Sequence, residues 1–294
     1  MGKGPKAVTV GEEESYPYHL FEGAMPHLPR IAIEVYDSTP EEWAEPALEP
    51  YKDVVNDPVA WAKKAVDVYK ADMIALQLAS TDPNDKNRSP EEAAEITKKV
   101  ASSVDVPVIV YGSANQEKDG EVLKKVAEVC EGMSLVLGPV QDLNYKQIGA
   151  SAIGYGHTVS ANTPIDINLA KQLNILLGNL GVQDEKLIID PTTGGLGYGI
   201  EYCYSVSERI RIAALSQQDE RLQFPIINNV AKEVWKTKEA KTGDTDLMGK
   251  GSKRGVIMEA ITAFLLALAG ADVLIMRHPE AIGVVREMIT DLTT

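Results

Sequence analysis

Cysteine is nearly missing from this chain: Cys130 and Cys203 are the only two among 294 residues. Two thiols cannot supply the four ligands that an iron-sulfur cluster usually takes, so no cluster is expected on this chain. Both fall in helical patterns, where a buried free thiol is the natural state. Histidine is almost as scarce. His19, His27, His157 and His278 never recur at the spacing of a metal site. His157 precedes a strand, which suits a structural role. Neither a Gly-x-Ser-x-Gly elbow nor a Walker-type phosphate loop is present, which removes the commonest signatures of a serine nucleophile and of nucleotide hydrolysis. Long apolar runs are lacking too. The most hydrophobic stretch, Val256 to Ala269, is broken by Glu259 and Thr262 and is too short to cross a bilayer. The amino terminus runs into polar sequence without the apolar core of a secretory signal. A cytoplasmic protein with no membrane partner is expected. Positive charge is also in deficit, the formal net charge being -14. Phosphate surfaces would repel most of such a molecule, so no nucleic-acid partner is expected.

What is present is a rhythm. Apolar strand candidates fall at Ile31 to Tyr36, Met73 to Leu78, Pro107 to Tyr111, Ser134 to Leu137, Thr158 to Ala161, Lys186 to Ile189, Pro225 to Asn228 and Val273 to Met276. Helical patterns lie between and after them at 58–70, 89–104, 118–131, 144–154, 166–180, 199–217, 254–269 and 280–292, with apolar residues at spacings of three and four. Ser89-Pro90-Glu91-Glu92 is a helix start with an N-cap serine and a first-turn proline. Eight strand-then-helix units without hairpin signals after residue 31 imply a parallel sheet covered by helices. Such a chain closes most simply into a (β/α)8 TIM barrel over 31–294, of roughly the usual 250 residues. An open doubly wound sheet is the competing architecture. Residues 1–30 stand apart: Ala7 to Val10, a Gly-Glu-Glu-Glu turn, and Ser15 to Phe21 suggest a β-hairpin extension, with Tyr16, Tyr18 and Phe21 free to plug one end of the barrel or to rest on a partner.

In a barrel the carboxyl ends of the strands build the site. Those positions hold Glu34 and Asp37, Gln77 and Ser80, Tyr111 and Ser113, Gln141, Asn162, Asp190, Asn228, Asn229, Arg277 and His278. Amides and hydroxyls dominate, a set suited to holding a large polar ligand rather than to hydrolysis. After the sixth strand, Asp190-Pro-Thr192-Thr193 leads into Gly194, Gly195, Gly197 and Gly199. Glycines let a ligand approach the main chain, and the threonine hydroxyls and amides offer hydrogen bonds. A long insertion from Glu233 to Arg254 follows the seventh strand and is rich in lysine. It is expected to be functional or mobile and to touch a partner or an anionic tail of a cofactor.

Several blocks carry a family resemblance. They are Asp190-Pro-Thr-Thr-Gly-Gly-Leu-Gly-Tyr-Gly-Ile-Glu-Tyr, Ser207-Glu-Arg-Ile-Arg, Asn228-Asn-Val, Glu233-Val-Trp-Lys-Thr-Lys-Glu-Ala, His19-Leu-Phe-Glu-Gly and Ile31-Ala-Ile-Glu-Val. Together they resemble the small subunit of the corrinoid iron-sulfur protein, the delta subunit of acetyl-CoA synthase/decarbonylase systems, over essentially the whole chain. The resemblance implies a barrel related to pterin-dependent methyltransferases. It implies a larger corrinoid iron-sulfur subunit as partner, carrying the 4Fe-4S cluster and the main corrinoid domain. It also implies a methyl shuttle from the methyltetrahydrofolate methyltransferase to acetyl-CoA synthase. The small subunit would then cover one face of a shared corrinoid (cobalamin) and swing away when methyl donor and acceptor need that face. On this reading the chain has no catalytic residue and no metal ligand, and Asn162, Thr192, Thr193, Gly194, Gly195, Asn228, Asn229, Arg277 and His278 are the cofactor-binding set. The competing class is a stand-alone pterin-binding methyltransferase using Asp190 with Asn228 or Asn229. A third is a scaffold whose site has lost its ligands.

Overall fold

The computed structural model describes residues 1–293, so the expected barrel boundary at 294 lies outside the described residues. Eight strands run parallel: β1 (Arg30–Tyr36), β2 (Met73–Gln77), β3 (Val108–Tyr111), β4 (Val136–Val140), β5 (Thr158–Asn162), β6 (Leu187–Asp190), β7 (Ile227–Asn229) and β8 (Val273–Met276). Their order is β6-β5-β4-β3-β2-β1-β8-β7. A parallel bridge from Ile189 to Ile226 joins the two ends, with Ile189 N–H donating to the Pro225 carbonyl at 2.8 Å. The sheet therefore curls into the expected barrel, nearly closed, and the open doubly wound alternative is ruled out.

Both faces of each strand are apolar, and alternation sorts them. Ala32, Met73, Ala75, Ile109, Val136, Ile188, Ile227, Val273 and Ile275 fill the barrel interior. Ile31, Ile33, Val35, Ile74, Leu76, Val110, Leu137, Val159, Ile189, Leu274 and Met276 point outward into the helix layer. The helices are α1 (Glu45–Leu48), α2 (Pro58–Asp67), α3 (Pro90–Ser103), α4 (Gln116–Val129), α5 (Tyr145–Tyr155), α6 (Ile167–Leu180), α7 (Ile200–Ser216), α8 (Val230–Trp235), α9 (Lys238–Lys241), α10 (Gly251–Leu268) and α11 (Pro279–Thr293). Their starts are written locally. Asp57, Ser89, Asn115 and Asp166 accept from the first free amides of α2, α3, α4 and α6, and Ser89 with Glu92 forms a full capping box. Among the described residues no helix is long and apolar enough to cross a membrane.

One expectation is corrected. The β-hairpin over residues 1–30 does not form: no strand precedes Arg30. Pro17 removes an amide from the second arm, while Gly11, Glu12 and Tyr18 take positive φ, which breaks an extended ladder. The segment folds as turns, closed by Glu14 N–H on the Ala24 carbonyl at 2.9 Å. It plugs the amino-terminal end of the barrel with Met1, Val8 and Val10 rather than with its aromatics, and Phe21 is 84% exposed. A buried clasp holds it there, in which Arg211 pairs with Glu13 at 3.3 Å and with Asp272. The insertion 233–254, expected to be functional or mobile, is structured. α8 and α9 occupy its first half, and Arg254 gathers its second half by donating to the carbonyls of Glu239, Thr242, Gly243, Met248 and Gly249 at 2.9–3.2 Å.

Candidate functional site

Following the inward parity of each strand past its apolar layer brings Glu34, Gln77, Tyr111, Asn162, Asp190 and Arg277 into the carboxyl-terminal mouth. Arg277 donates to Glu34 Oε2 through Nε at 2.8 Å and Nη2 at 2.6 Å. Its guanidinium lies over Trp43, 3.4 Å from the ring centroid, and Tyr36 meets Trp43 edge-on at 5.0 Å. The end of β8 is anchored from behind by Glu259 of α10, which accepts from the Arg277 and His278 amides and from the Trp235 indole at 2.8 Å. Burial pushes the Glu259 carboxyl up to about 7.

Across the mouth, the Tyr111 hydroxyl donates to Asp190 Oδ2 at 2.8 Å and sits 2.8 Å from Ser160 Oγ. Asp190 Oδ1 accepts the Thr192 amide at 3.0 Å, and burial still raises its carboxyl to about 6. Asn162 accepts from Gln141 Nε2 at 2.7 Å. Thr193 is buried and accepts from Asn228 Nδ2 at 3.3 Å. Gly194 and Gly195 open a short 3-10 turn pressed onto the barrel: a Cβ on Gly195 would stand 2.2 Å from Ile165 Cδ1. Nearby, Asp119 accepts the Ser113 and Ala114 amides at 2.8 and 2.9 Å and is likewise raised to about 6 by burial. Asp37 accepts from Ser80 and faces Arg88 at 3.5 Å.

A cleft of about 460 Å³ opens beside this layer. Tyr36, Trp43, Gln77, Ser113 and Arg277 line it, together with Lys86 and, from α8 and α9, Lys232, Lys236 and Lys241. Lys236 pairs with Glu233, whereas the side chains of Lys86, Lys232 and Lys241 make no hydrogen bond or ion pair among the described residues. Glu41, Glu42, Asp82 and Asp85 line it as well. Gln77 Nε2, Glu34 Oε1, Gln141 Oε1 and Asn228 Oδ1 are buried without a partner.

The expected site residues therefore separate into groups. Asn162, Thr192, Thr193, Gly194, Gly195, Asn228 and Asn229 gather at the ends of β5, β6 and β7. Arg277 is the only one of the set that lines the cleft. Asn229 caps α8 by accepting the Lys232 amide at 3.3 Å. His278 belongs to the helix layer: one residue past Arg277 it has outward parity, its ring stacks on Trp235, and its Nδ1 accepts the Glu280 amide at 3.2 Å to start α11. Lys236 and Lys241 belong to the insertion expected to touch a ligand or partner, whereas Trp43, Tyr36, Lys86 and Lys232 were not expected at the site. The four-residue spacing of Lys232 and Lys236 was a readable signal that both share one helix face, whereas Trp43 sits in an irregular loop with no periodic signature.

Fold and mouth together define a (β/α)8 barrel with a polar, insertion-walled cleft at its carboxyl-terminal end. Solved dihydropteroate synthases share the barrel. The Xanthomonas albilineans enzyme superposes with a TM-score of 0.59 over 90% of this chain and 93% of its own, at 13% identity. The Thermus thermophilus enzyme gives 0.56 over 97% and 98%, at 16% identity. The family model described as CO dehydrogenase/acetyl-CoA synthase delta subunit matches residues 1–291, and the chain belongs to that family. Relatives named acetyl-CoA decarbonylase/synthase complex subunit delta are 40% identical in Archaeoglobus fulgidus, over 97% of this chain, and 39% identical in Methanopyrus kandleri, also over 97%. A delta 1 subunit of Methanosarcina thermophila is 39% identical over 99%. The chain spans 64% of the Archaeoglobus relative's length, 70% of the Methanopyrus one and 67% of the Methanosarcina one.

Proposed function

We propose that this chain is the non-catalytic small subunit of a corrinoid methyl carrier, working in the cytoplasm within an acetyl-CoA decarbonylase/synthase complex. Its partner on this reading is a larger corrinoid iron-sulfur subunit bearing the 4Fe-4S cluster, and the carrier serves methyltetrahydrofolate methyltransferase and acetyl-CoA synthase. One observation carries the reading. The buried carboxylates around the mouth are committed inside the fold, Asp37 to Ser80, Asp119 to loop amides, Asp190 to Tyr111 and Thr192, and one oxygen of Glu34 to Arg277. Amide atoms on Gln77 and Asn228 are left buried and unpaired. Such a mouth is poor at moving protons and well suited to meeting a ligand edged with carboxamides.

Those orphaned atoms fit a corrinoid, whose rim carries amide donors and acceptors. Asn162, Thr192 and Thr193 would meet it from the β5–β6 side and Gln77 from the cleft, whereas Asn228, one residue past inward-facing Ile227, is fully buried behind Thr193 and supports that hydroxyl. When bound, the corrinoid supplies the centre that takes up and hands on the methyl group. The chain's own contribution is to hold that face still and keep water from it, which its rigid hydrogen-bonded mouth does without reorganising. Gln77→Ala in the assembled complex is expected to weaken corrinoid retention about tenfold, the effect of one or two lost hydrogen bonds. Corrinoid occupancy and absorption spectrum unchanged by that substitution, over a dilution series, would count against the reading.

A second reading is favoured by the unpaired Asn228 Oδ1 and by the likeness to dihydropteroate synthase barrels, one of them solved with 7,8-dihydropteroate. It is a pterin-binding methyltransferase acting alone. Calorimetric titration of the isolated chain with methyltetrahydrofolate separates the two, because only the second reading expects saturable binding.

A further inference from the structure

Helix α10 is inverted. On a solvated barrel helix the polar residues face water and the apolar ones face the core. Here Glu259 and Thr262, the only polar side chains from Gly255 to Leu268, are both buried, and Glu259 is spent on fixing the end of β8. The outer face runs Ile257, Ile261, Phe264 and Leu268 at spacings of four, three and four, which keeps them on one stripe. Ile257 is 54% exposed and Ile261 52% exposed. The packed neighbours extend the patch, with exposed Ile212 on α7 and exposed Val284 and Leu292 on α11. Exposed apolar side chains on three helices that pack side by side, α7, α10 and α11, mark a contact surface.

Its border has a charge. α11 exposes Glu280, Glu287 and Asp291, while its single basic residue, Arg286, is drawn onto the Tyr69 and Lys70 carbonyls. Arg209 on α7 and Lys253 at the start of α10 are the exposed cations nearby. A second copy would bring the same acidic edge and another net charge of -14, and an anionic membrane would be repelled in the same way. We propose that the outer face of α10 docks a helical face of another subunit of the complex, apolar at its centre and rich in lysine or arginine along the edge that meets α11. The assignment rests on the reading of this chain as a subunit, and not on the corrinoid.

The test uses the full chain co-expressed with the other subunits of the acetyl-CoA decarbonylase/synthase complex. The double variant Ile257→Lys, Ile261→Lys changes exposed positions only. It is expected to melt like the unaltered chain, to remain a monomer, and to recover at least tenfold less of the other subunits. As a control on folding, Ile261→Cys labelled with a benzophenone is expected to cross-link to another subunit within the assembled complex. Undiminished recovery by the double variant, no cross-link, or a cross-link only between copies of this chain would each overturn the assignment. An unaltered chain that recovers no other subunit would instead overturn the subunit reading, and the docking face with it.

Discussion

Asp190 illustrates how much one residue's environment decides. Its carboxyl is raised from the ordinary 3.8 to about 6 because burial disfavours its charge more than Tyr111, Thr192 and Asn162 favour it. A carboxyl whose folded value is raised binds its proton more tightly when folded. Its effect on stability is therefore nil below about pH 4 and unfavourable above about 6, and a rise of about two units is worth about 3 kcal/mol. Relative to the unaltered protein, Asp190→Asn should gain about 3 kcal/mol of stability between pH 4 and pH 8. Urea unfolding across that range checks it, and a flat difference would refute the assignment. At this scale much of the site was legible, because alternation along a strand is arithmetic. Inward parity puts Asp190 and Arg277 in the mouth. The same arithmetic, applied one residue further, would have placed His278 outside, where it caps α11. Trp43 was illegible because nothing in its neighbourhood repeats.

Elements were read most reliably where they start on a cap and carry a long apolar stripe. Helix α3 is expected over 89–104 and observed over Pro90–Ser103, since Ser89, Pro90 and Glu92 fix its first turn. The insertion after β7 was less readable. Arg254 reaches back across the loop to gather it, alongside Asp244 and Thr245, which accept the Gly251 and Met248 amides, and no local propensity reports a contact like that of Arg254. Gly255 is part of the same device, because a Cβ there would stand 2.4 Å from the Trp235 ring. Arg254→Ala should remove its hydrogen bonds to the carbonyls of five residues, of which Gly249 keeps the Thr245 amide, and release residues 239–250. A stability loss of about 2–3 kcal/mol is expected, with faster hydrogen exchange confined to that loop. Exchange unchanged in 239–250 would show that other contacts order it. The hairpin expected at the amino terminus failed for the converse reason. Its alternation favours strands, but Pro17 and three positive φ values outweigh it, and the buried Glu13–Arg211–Asp272 clasp needs a partner 259 positions away in the chain.

For the whole molecule, the rhythm of eight apolar strands and eight helices fixed the architecture, because each strand is buried on both sides and no other closed arrangement covers all of them. Family membership was legible only through the resemblance, since a barrel hosts many chemistries and composition does not choose among them. One feature of the closed sheet has a mechanical consequence. β7 is only three residues long and meets β6 through a lone bridge, and the preceding Pro225 has no N–H to donate. The barrel is thus a cask with one loose stave. Thermal opening should begin at that joint, directly beneath Thr193 and Asn228, so whatever sits on the mouth also acts as the hoop. Hydrogen exchange read by mass spectrometry should find the amides of Ile188 to Asp190 opening earlier than those of β1 and β2, and slowing selectively when the mouth is covered. Uniform protection around all eight strands would mean that the joint bears as much load as the rest.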